Sequence, residues 1–349
     1  MLNPDITLIT PDYPPVTGGV ARYLSNLVAA SAGRIEVISD TRKIFRSVWP
    51  RWWPAVKSIK SIKSKVLVSH VLPLGTAAWI AKIVGGPEYG VLFHGTDIRL
   101  VQGLWKKWLV KRICCSAKVL FCNSEHTKGE LQQLIASMQI VVVTPGVEQR
   151  DVILKCDARR SLDLAEDTKI VLSVARLTPR KGIDASLRAL SRIQSKRDVQ
   201  YVVIGDGADR ERLENIATES RTRVRWIPKA TDREKWLWLS AADVFLLPGR
   251  DDGNDVEGFG IAYLEAALAG VPAVAGKSGG ATEAVRHERT GLVVNPKSID
   301  EIEEGVERLL NDEVLRTRLG QEARARALAD FHWKDRWDRV AKAFGIEPS

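Results

Sequence analysis

The sequence contains no uninterrupted apolar run of the roughly 18 residues that a membrane-spanning helix needs. The predicted first strand, DITLIT, begins at residue 5, which leaves no room for a secretory signal peptide. Cysteine is scarce: Cys114, Cys115, Cys122 and Cys156 fall in no metal-ligand spacing. We therefore expect reduced, mostly buried thiols in a cytoplasmic protein.

Two common nucleotide-binding signatures are also missing. The loop PDYPPVTGGVARYL contains Gly18 and Gly19 ahead of a predicted helix, but it lacks the G-x-G-x-x-G spacing and no Walker lysine follows. Glycines at a helix N-terminus let backbone amides approach a phosphate or a hydroxyl group. They suit a tight structural turn equally well, so this loop alone leaves both interpretations open.

The surplus of positive over negative charge lies entirely in the first half of the chain. The net charge is +9, yet residues 1–150 carry 19 Lys and Arg against 9 Asp and Glu, and residues 151–349 carry 33 against 34. Such asymmetry indicates an anionic partner for the N-terminal half, either membrane headgroups or nucleic acid. A basic surface that serves solubility alone is the simpler alternative.

Two basic segments of this half are also rich in tryptophan. Residues 42–65 combine four aromatic residues with many Lys and Arg and no acid, and residues 104–112, LWKKWLVKR, repeat the pattern. This composition is typical of peripheral proteins on anionic membranes. Stacking on nucleic acid is an alternative, but the usual nucleic-acid-binding motifs are absent. Some of the tryptophans also belong in a core, and we favour docking on an anionic membrane without nucleic acid.

Short apolar runs alternate with helix-length segments along the entire chain. The runs, such as KVLVSH and VQYVVIGDG, are rich in Val and Ile and nearly continuous, which is typical of parallel strands buried on both faces. The charged segment 147–167 interrupts the series. We therefore predict two doubly wound α/β domains, 1–150 and 151–332. The C-terminal segment 333–349 contains a predicted helix that packs back on the first domain.

Polar motifs follow several predicted strands, where doubly wound folds bind their ligands. HGTD puts His94 after one strand, where it suits a hydrogen bond to a substrate as well as a structural role. RLTPRKG places Arg176 and Lys181 five residues apart, which suits a diphosphate or a solvated basic loop. IGDG contributes Gly205 and Asp206 in a turn similar to nucleotide-contacting turns.

The stretch VEGFGIAYLEAALAG carries the strongest signal. Its density of Ala and Gly indicates that another group approaches the backbone closely. Glu257 and Glu265 flank the amides of Phe259, Gly260 and Ile261, which are unpaired donors if a helix begins near Gly260. A sugar nucleotide has hydroxyl donors at both ends and an anionic diphosphate between them, which matches this arrangement.

The order and spacing of these motifs resemble the retaining glycosyltransferases of family 4, which have the GT-B fold of two facing Rossmann-like domains with a cleft between them. VEGFGIAYLEA is similar to the E-x7-E signature of that family, and the other motifs, including SGGATEAV, stand in the family's order. The PRKG loop and the DVEGFGI–YLEA stretch are most similar in wording to bacterial GDP-mannose-dependent α-mannosyltransferases that act on phosphatidylinositol mannosides.

This resemblance implies a role for each matching residue. Arg176 and Lys181 would hold the donor diphosphate and neutralise the leaving group. Glu257 would contact the hydroxyl groups of the transferred sugar, and Glu265 would hold the ribose. His94 would lie near the outer hydroxyls of the sugar and the reacting centre.

The resemblance also implies the reaction. The Gly18–Gly19 loop would approach the phosphate or the acceptor, and the amides of Phe259–Ile261 would complete the diphosphate cradle. Retention would follow from same-face displacement, in which the leaving phosphate takes the proton of the acceptor. Arg and Lys would replace a metal, so we expect no metal and no cofactor beyond the nucleotide-sugar co-substrate. The run DDGND at 251–255 looks like a metal loop, but a solvated acidic loop is the favoured interpretation.

The expected function is therefore transfer of a hexose, foremost mannose from GDP-mannose, to a lipid-linked or glycan acceptor. The expected location is the inner face of the cell membrane, with peripheral association. One alternative is a transferase that uses UDP-glucose or UDP-N-acetylglucosamine, because hexose epimers differ by a single hydroxyl group. A sugar-nucleotide 2-epimerase and a basic nucleic-acid-binding module are further alternatives.

Overall fold

The computed structural model of the chain describes residues 4–135, 138–165, 167–253 and 255–347. The chain divides into two compact units, Met1–Gly146 with Phe331–Ser349, and Val147–Asp330. The units therefore divide after residues 146 and 330, whereas the sequence analysis predicts boundaries after residues 150 and 332.

The first unit is built on a parallel six-stranded sheet. Its strands are β1 Ile6–Ile9, β2 Ile35–Ile38, β3 Lys65–Val68, β4 Tyr89–Phe93, β5 Val119–Cys122 and β6 Ile140–Val142. Its helices are α1 Gly19–Ala30, α2 Thr41–Ile44, α3 Trp53–Ser61, α4 Thr76–Ile83, α5 Thr96–Arg99, α6 Leu104–Ser116, α7 Glu125–Leu134 and, after the second unit, α16 Trp333–Ala343, with a turn Val71–Gly75 before α4. The strand order is β2-β1-β3-β4-β5-β6. The central strands β1, β4 and β5 are buried along their length, as the continuous apolar runs predict.

Helix α16 completes the core of this first unit. Trp337 is fully buried and lies under the guanidinium of Arg34, whose Cζ is 5.4 Å from the indole centroid. The ring of Phe344 lies 5.6 Å from that of Phe121. A Cβ on Gly90 would lie only 2.7 Å from the Phe344 ring, so this strand position accepts glycine alone without a shift.

The second unit repeats the architecture with a second parallel six-stranded sheet. Its strands are β7 Lys169–Val174, β8 Val199–Ile204, β9 Val224–Ile227, β10 Val244–Leu247, β11 Ala273–Gly276 and β12 Gly291–Val294. Its helices are α8 Lys155–Ser161, α9 Ile183–Gln194, α10 Arg210–Glu219, α11 Asp232–Ala241, α12 Ile261–Leu268, α13 Ala281–Ala284, α14 Ile299–Asn311 and α15 Glu313–Asp330, with a 3-10 turn Pro179–Lys181 before α9. The strand order is β12-β11-β10-β7-β8-β9. The predicted α/β class, with doubly wound parallel sheets, is confirmed.

Helix α8 lies in the segment 147–167 that the sequence analysis interprets as a linker. The buried carboxylate of Asp243 accepts hydrogen bonds from Lys155 Nζ at 2.6 Å, Arg159 Nη2 at 2.9 Å and the amide of Ile170 at 2.8 Å. Burial alone raises the pKa of Asp243, but these cations and the amide outweigh burial and hold it below its usual range. The ionised carboxylate therefore ties α8 to the sheet.

The small residues after Glu257 have a structural explanation. On α12, Ala267 packs against Ala323 and Ala327 of α15. A Cβ on Gly320 of α15 would lie 2.0 Å from the carbonyl oxygen of Gly270. The density of Ala and Gly indicates that some group approaches the backbone closely. Over this part of the stretch, that group is helix α15.

No helix within the described residues is both long and apolar enough to traverse a bilayer. All four cysteines are free thiols. Cys114 and Cys122 are buried, and burial raises the pKa of Cys114 to about 12. Cys115 and Cys156 are exposed, so the expectation of mostly buried thiols is wrong for half of them.

Candidate active site

Loops after three neighbouring strands of the second unit carry the predicted donor-binding residues. Strands β10, β7 and β8 are adjacent in the sheet, and in a parallel sheet their carboxyl ends lie at one edge. Arg176 and Lys181 follow β7, Gly205 follows β8, and Glu257 follows β10. The topology therefore brings these motifs to the same edge.

The glycines of the IGDG motif shape the loop that carries Arg176. A Cβ on Gly205 would lie 2.0 Å from the carbonyl oxygen of Ala175, and one on Gly207 would lie 2.2 Å from that of Leu177. Gly205 also has a φ of 133°. These glycines are required because two backbone segments touch, and the contact fixes the backbone on either side of Arg176.

Arg176 itself is exposed and makes no ion pair within the described part of the chain. The Asp206 side chain does not contact Arg176. Its Oδ1 accepts a hydrogen bond from the amide of Gly207 at 2.9 Å and lies 3.9 Å from Arg210 Nη1. Arg176 is thus a cation available to an anionic ligand at the edge of the sheet, whereas Asp206 shapes its own turn.

Glu257 forms the centre of a buried ion cluster. Its Oε2 accepts hydrogen bonds from Lys181 Nζ and from Arg180 Nη1, the latter at 3.0 Å. Arg180 Nε lies 2.5 Å from Asp255 Oδ2. Burial raises the pKa of Glu257, but Lys181 and Arg180 outweigh burial and hold the pKa below its usual range. Glu257 is therefore an ionised acceptor between two cations.

The turn that follows Glu257 explains why glycine precedes α12. Gly260 has a φ of 90°, and its Cβ would lie 2.4 Å from the ring of Tyr263. The helix begins at Ile261, one residue after the expected start. The amides of Gly260 and Ile261 have no backbone acceptor within the described residues, so these two first-turn donors are available to a ligand. Phe259 is buried beside them.

A second backbone contact supports the same turn from the SGGATEAV motif. A Cβ on Gly279 would lie 2.2 Å from the carbonyl oxygen of Glu257, and one on Gly280 would lie 2.2 Å from that of Gly258. The amide of Gly280 donates to the Glu257 carbonyl at 2.9 Å. The loop before α13 therefore fixes the backbone that carries Glu257.

Glu265 lies in the second turn of α12 and is buried. Its Oε1 accepts a hydrogen bond from Lys235 Nζ of α11 at 2.8 Å. The same ammonium lies 3.1 Å from Asp232 Oδ1. Glu265 therefore has a fixed cationic partner that the sequence analysis does not identify.

The acidic loop 251–255 borders this site, although Asn254 lies outside the described residues. Asp251 and Asp252 are exposed, whereas Asp255 pairs with Arg180. Across the described residues, no three His, Cys, Asp or Glu side chains converge as metal ligands do. The metal-free mechanism stays a prediction.

In the first unit, His94 lies directly after the carboxyl end of β4. Its amide donates to Asp97 Oδ2 at 2.8 Å, and its ring lies 5.6 Å from that of His70 and 5.9 Å from that of Tyr23. Nε2 of His94 is buried and has no hydrogen-bond partner within the described residues. Burial, together with His70, lowers the pKa of His94 to about 3, so this imidazole is neutral.

The Gly18–Gly19 loop follows β1 at the same edge of the first sheet and is exposed. Gly18 has a φ of 148°, and no atom lies within 4 Å of a Cβ built on Gly18 or Gly19. Packing therefore does not account for the pair. The space beside the start of α1 is open, so a ligand can approach the helix amides there.

Among the predicted site residues, Lys181 and Glu257 are in direct contact through a hydrogen bond. His94 and the glycine pair belong to the first unit, and the other predicted residues belong to the second. Sequence reasoning missed Arg180 and Lys235. Arg180 is visible within the PRKG motif, but nothing local in the sequence indicates that Lys235 contacts Glu265.

Two protein-family models match the chain, one for each half. The model described as Glycosyltransferase Family 4 matches residues 5–150. The model described as Glycosyl transferases group 1 matches residues 155–326. Together they account for nearly the entire chain.

Known proteins with similar sequences and folds extend this result. The GDP-mannose-dependent monoacylated alpha-(1-6)-phosphatidylinositol monomannoside mannosyltransferase of Corynebacterium glutamicum is 27% identical, with 98% of each chain covered. The structure of sucrose-phosphate synthase from Thermosynechococcus elongatus superposes with a TM-score of 0.83 at 22% identity, covering 98% of both chains. HepE of Anabaena, solved with UDP and glucose, gives a TM-score of 0.80 at 18% identity, covering 97% of this chain and 99% of HepE.

Proposed function

The chain belongs to the GT-B glycosyltransferases of family 4 and group 1, and we propose that it transfers mannose from GDP-mannose to a lipid-linked or glycan acceptor at a membrane surface. The full-length similarity to a mannosyltransferase that uses GDP-mannose carries this proposal. The chain is a hexosyltransferase; the donor, the acceptor, retention of configuration and the membrane location are proposals.

The ion cluster of the second unit supports a nucleotide-sugar donor. Lys181 and Arg180 are cations beside Glu257. Arg176, which also follows strand β7, is an exposed cation. In the proposed mechanism, Arg176 and Lys181 bind the diphosphate and stabilise the charge that develops as the sugar leaves. Glu257 accepts hydrogen bonds from the hydroxyls of the sugar, and the amides of Gly260 and Ile261 donate to a phosphate.

The proposed reaction retains configuration by displacement on one face of the sugar. The acceptor oxygen bonds to the anomeric carbon as the bond to the diphosphate breaks, and the departing phosphate oxygen takes the proton of the acceptor. No protein nucleophile is needed in this route, and rate acceleration comes from positioning and electrostatics. Neutral His94 suits a hydrogen bond to a sugar hydroxyl, because its buried Nε2 lacks a partner within the described residues.

A UDP-sugar donor is the second candidate, because HepE of Anabaena shares the fold and binds UDP and glucose. Calorimetric titration with GDP and UDP, each with magnesium and with EDTA, distinguishes the candidates. We expect micromolar binding of GDP, at least about tenfold tighter than UDP and unchanged by EDTA. Tighter binding of UDP would transfer the proposal to a UDP-sugar, and loss of binding in EDTA would contradict the metal-free mechanism.

Exposed tryptophans among basic residues of the first unit support the proposal of a membrane-bound acceptor. Trp49 is 82% exposed and Trp105 is 69% exposed. Trp49 precedes α3 and Trp105 lies in α6, and both of these helices pack on α4. Exposed indoles with adjacent Lys and Arg suit the headgroup region of an anionic bilayer.

Cosedimentation with phosphatidylcholine vesicles, with and without phosphatidylglycerol, tests this surface. We expect binding to the anionic vesicles alone, weakened by salt. Replacing Trp49 and Trp105 by Ala should weaken binding roughly tenfold each, because part of each indole leaves water on docking. Val314→Ala removes an exposed apolar side chain from the second unit and serves as the control. Equal binding of all variants would contradict the assignment of this surface.

A further inference from the structure

The ammonium of Lys235 sits between two carboxylates and an indole ring. Its Nζ lies 2.8 Å from Glu265 Oε1, 3.1 Å from Asp232 Oδ1 and 5.6 Å from the ring centroid of Trp236. The Lys235 side chain is 11% exposed and that of Glu265 is 9% exposed. A largely buried cation with these neighbours is held in one place, and it holds its partners in turn.

Lys235 and Glu265 come from different helices that begin at the same edge of the second sheet. Lys235 lies in the first turn of α11, which follows β9, and Glu265 lies in the second turn of α12, which follows β10. A glutamate side chain has three rotatable bonds, so a carboxylate without a fixed partner would sample several positions. The ion pair removes that freedom on the side of the helix that faces α11.

Asp232 also pairs with a second cation. Its Oδ2 lies 2.7 Å from Arg150 Nη1, and the Arg150 guanidinium lies 4.9 Å from the ring centroid of Trp236. Burial raises the pKa of Asp232, but Lys235 and Arg150 outweigh burial and keep the carboxylate ionised. Arg150, Asp232, Lys235 and Glu265 therefore form a chain of alternating charges that ends at the predicted ribose ligand.

We propose that Lys235 is a positioning residue that orients the Glu265 carboxylate toward the ribose hydroxyls of the donor nucleotide, and so sets the preference for ribose over deoxyribose. This inference rests on the proposed function, in which Glu265 holds the ribose. The ammonium bonds to one carboxylate oxygen, and a carboxylate has enough acceptor sites to receive ribose hydroxyls as well. Lys235 does not contact the nucleotide in this scheme.

The test compares GDP with 2′,3′-dideoxy-GDP as calorimetric ligands of the native chain, Lys235→Met and Lys235→Arg. For the native chain we expect GDP to bind at least about tenfold tighter than the dideoxy analogue, because hydrogen bonds to a charged acceptor are lost. In Lys235→Met this preference should fall to about twofold, with the affinity for the dideoxy analogue unchanged. Lys235→Arg should retain most of the preference.

Two controls separate positioning from a general effect on folding. Lys196→Met removes a lysine that pairs with Glu303 and Glu307 and should change neither affinity. Glu265→Gln should lose the same preference, and the double variant with Lys235→Met should lose no more, because the two residues act through one contact.

Equal weakening of both ligands in Lys235→Met would overturn the proposal and assign the lysine a structural role. Full retention of the ribose preference would overturn it as well. If the native chain prefers UDP, the same comparison with the UDP analogues applies. If the native chain binds neither GDP nor UDP, the proposed function fails together with this inference, which distinguishes that case from failure of Lys235 alone.

Discussion

Replacement of Glu257 by Gln should lower sugar transfer at least about 100-fold, the scale on which enzymes respond to loss of one preorganised charged group. Gln preserves the shape of the side chain but removes the charge that Lys181 and Arg180 face. The amide also replaces one acceptor oxygen with a donor, which opposes hydrogen bonds from sugar hydroxyls. The loss should appear in kcat for GDP release from GDP-mannose.

Binding of GDP separates this catalytic effect from loss of structure. Because the two cations are no longer neutralised by Glu257, we expect the affinity of Glu257→Gln for GDP to be retained or increased. Glu303→Gln removes a carboxylate that pairs with Arg192 of α9 and with Lys196, which follows that helix, and it should leave both transfer and GDP affinity unchanged. Native-like transfer by Glu257→Gln would refute the role assigned to this residue.

Replacement of Trp337 by Ala should lower the free energy of unfolding of the first unit by about 3–5 kcal/mol, the usual cost of truncating a fully buried tryptophan. Trp337 is completely buried in α16 and packs under Arg34. Scanning calorimetry resolves this effect if the two units unfold separately, and the transition of the second unit should not move. GDP, bound by the second unit in our proposal, would identify that transition by raising its midpoint.

The matched control is Trp49→Ala, because Trp49 is 82% exposed and its removal should change stability by less than about 0.5 kcal/mol. A native-like transition for Trp337→Ala would show that α16 contributes little to the core. A shift in the transition of the second unit alone would contradict the assignment of α16 to the first unit.

Much of the fold is predictable because each buried parallel strand appears in the sequence as a short, nearly continuous apolar run. Runs such as KVLFCNS and VFLLPG contain β5 and β10. Helices α3 and α8 are not predicted from the sequence, because composition rather than apolar periodicity dominates the tryptophan-rich and charged segments that contain them. The buried position of Arg159 in α8 depends on Asp243, which lies 84 residues away in the sequence. No local pattern indicates such a partner.

The candidate site was predictable to the level of motifs but not of contacts. Glu257 and Lys181 stood out because each belongs to a motif with a chemical rationale. Glycines and small residues in a sequence indicate that some group approaches the backbone, but they do not identify that group. Gly205 is fixed by the backbone of Ala175, and Ala267 by helix α15, whereas Gly18 has open space beside it. Only the three-dimensional surroundings of each residue distinguish these cases.

The position of α16 has a consequence for synthesis on the ribosome. Domains of a nascent chain usually fold in order from the N-terminus. Here the surface around Gly90 and Phe121 is covered by Phe344, which emerges only after the entire second unit, Val147–Asp330. The second unit therefore has all its residues before the first does, and the apolar face around Gly90 and Phe121 stays uncovered until Phe344 has been synthesised.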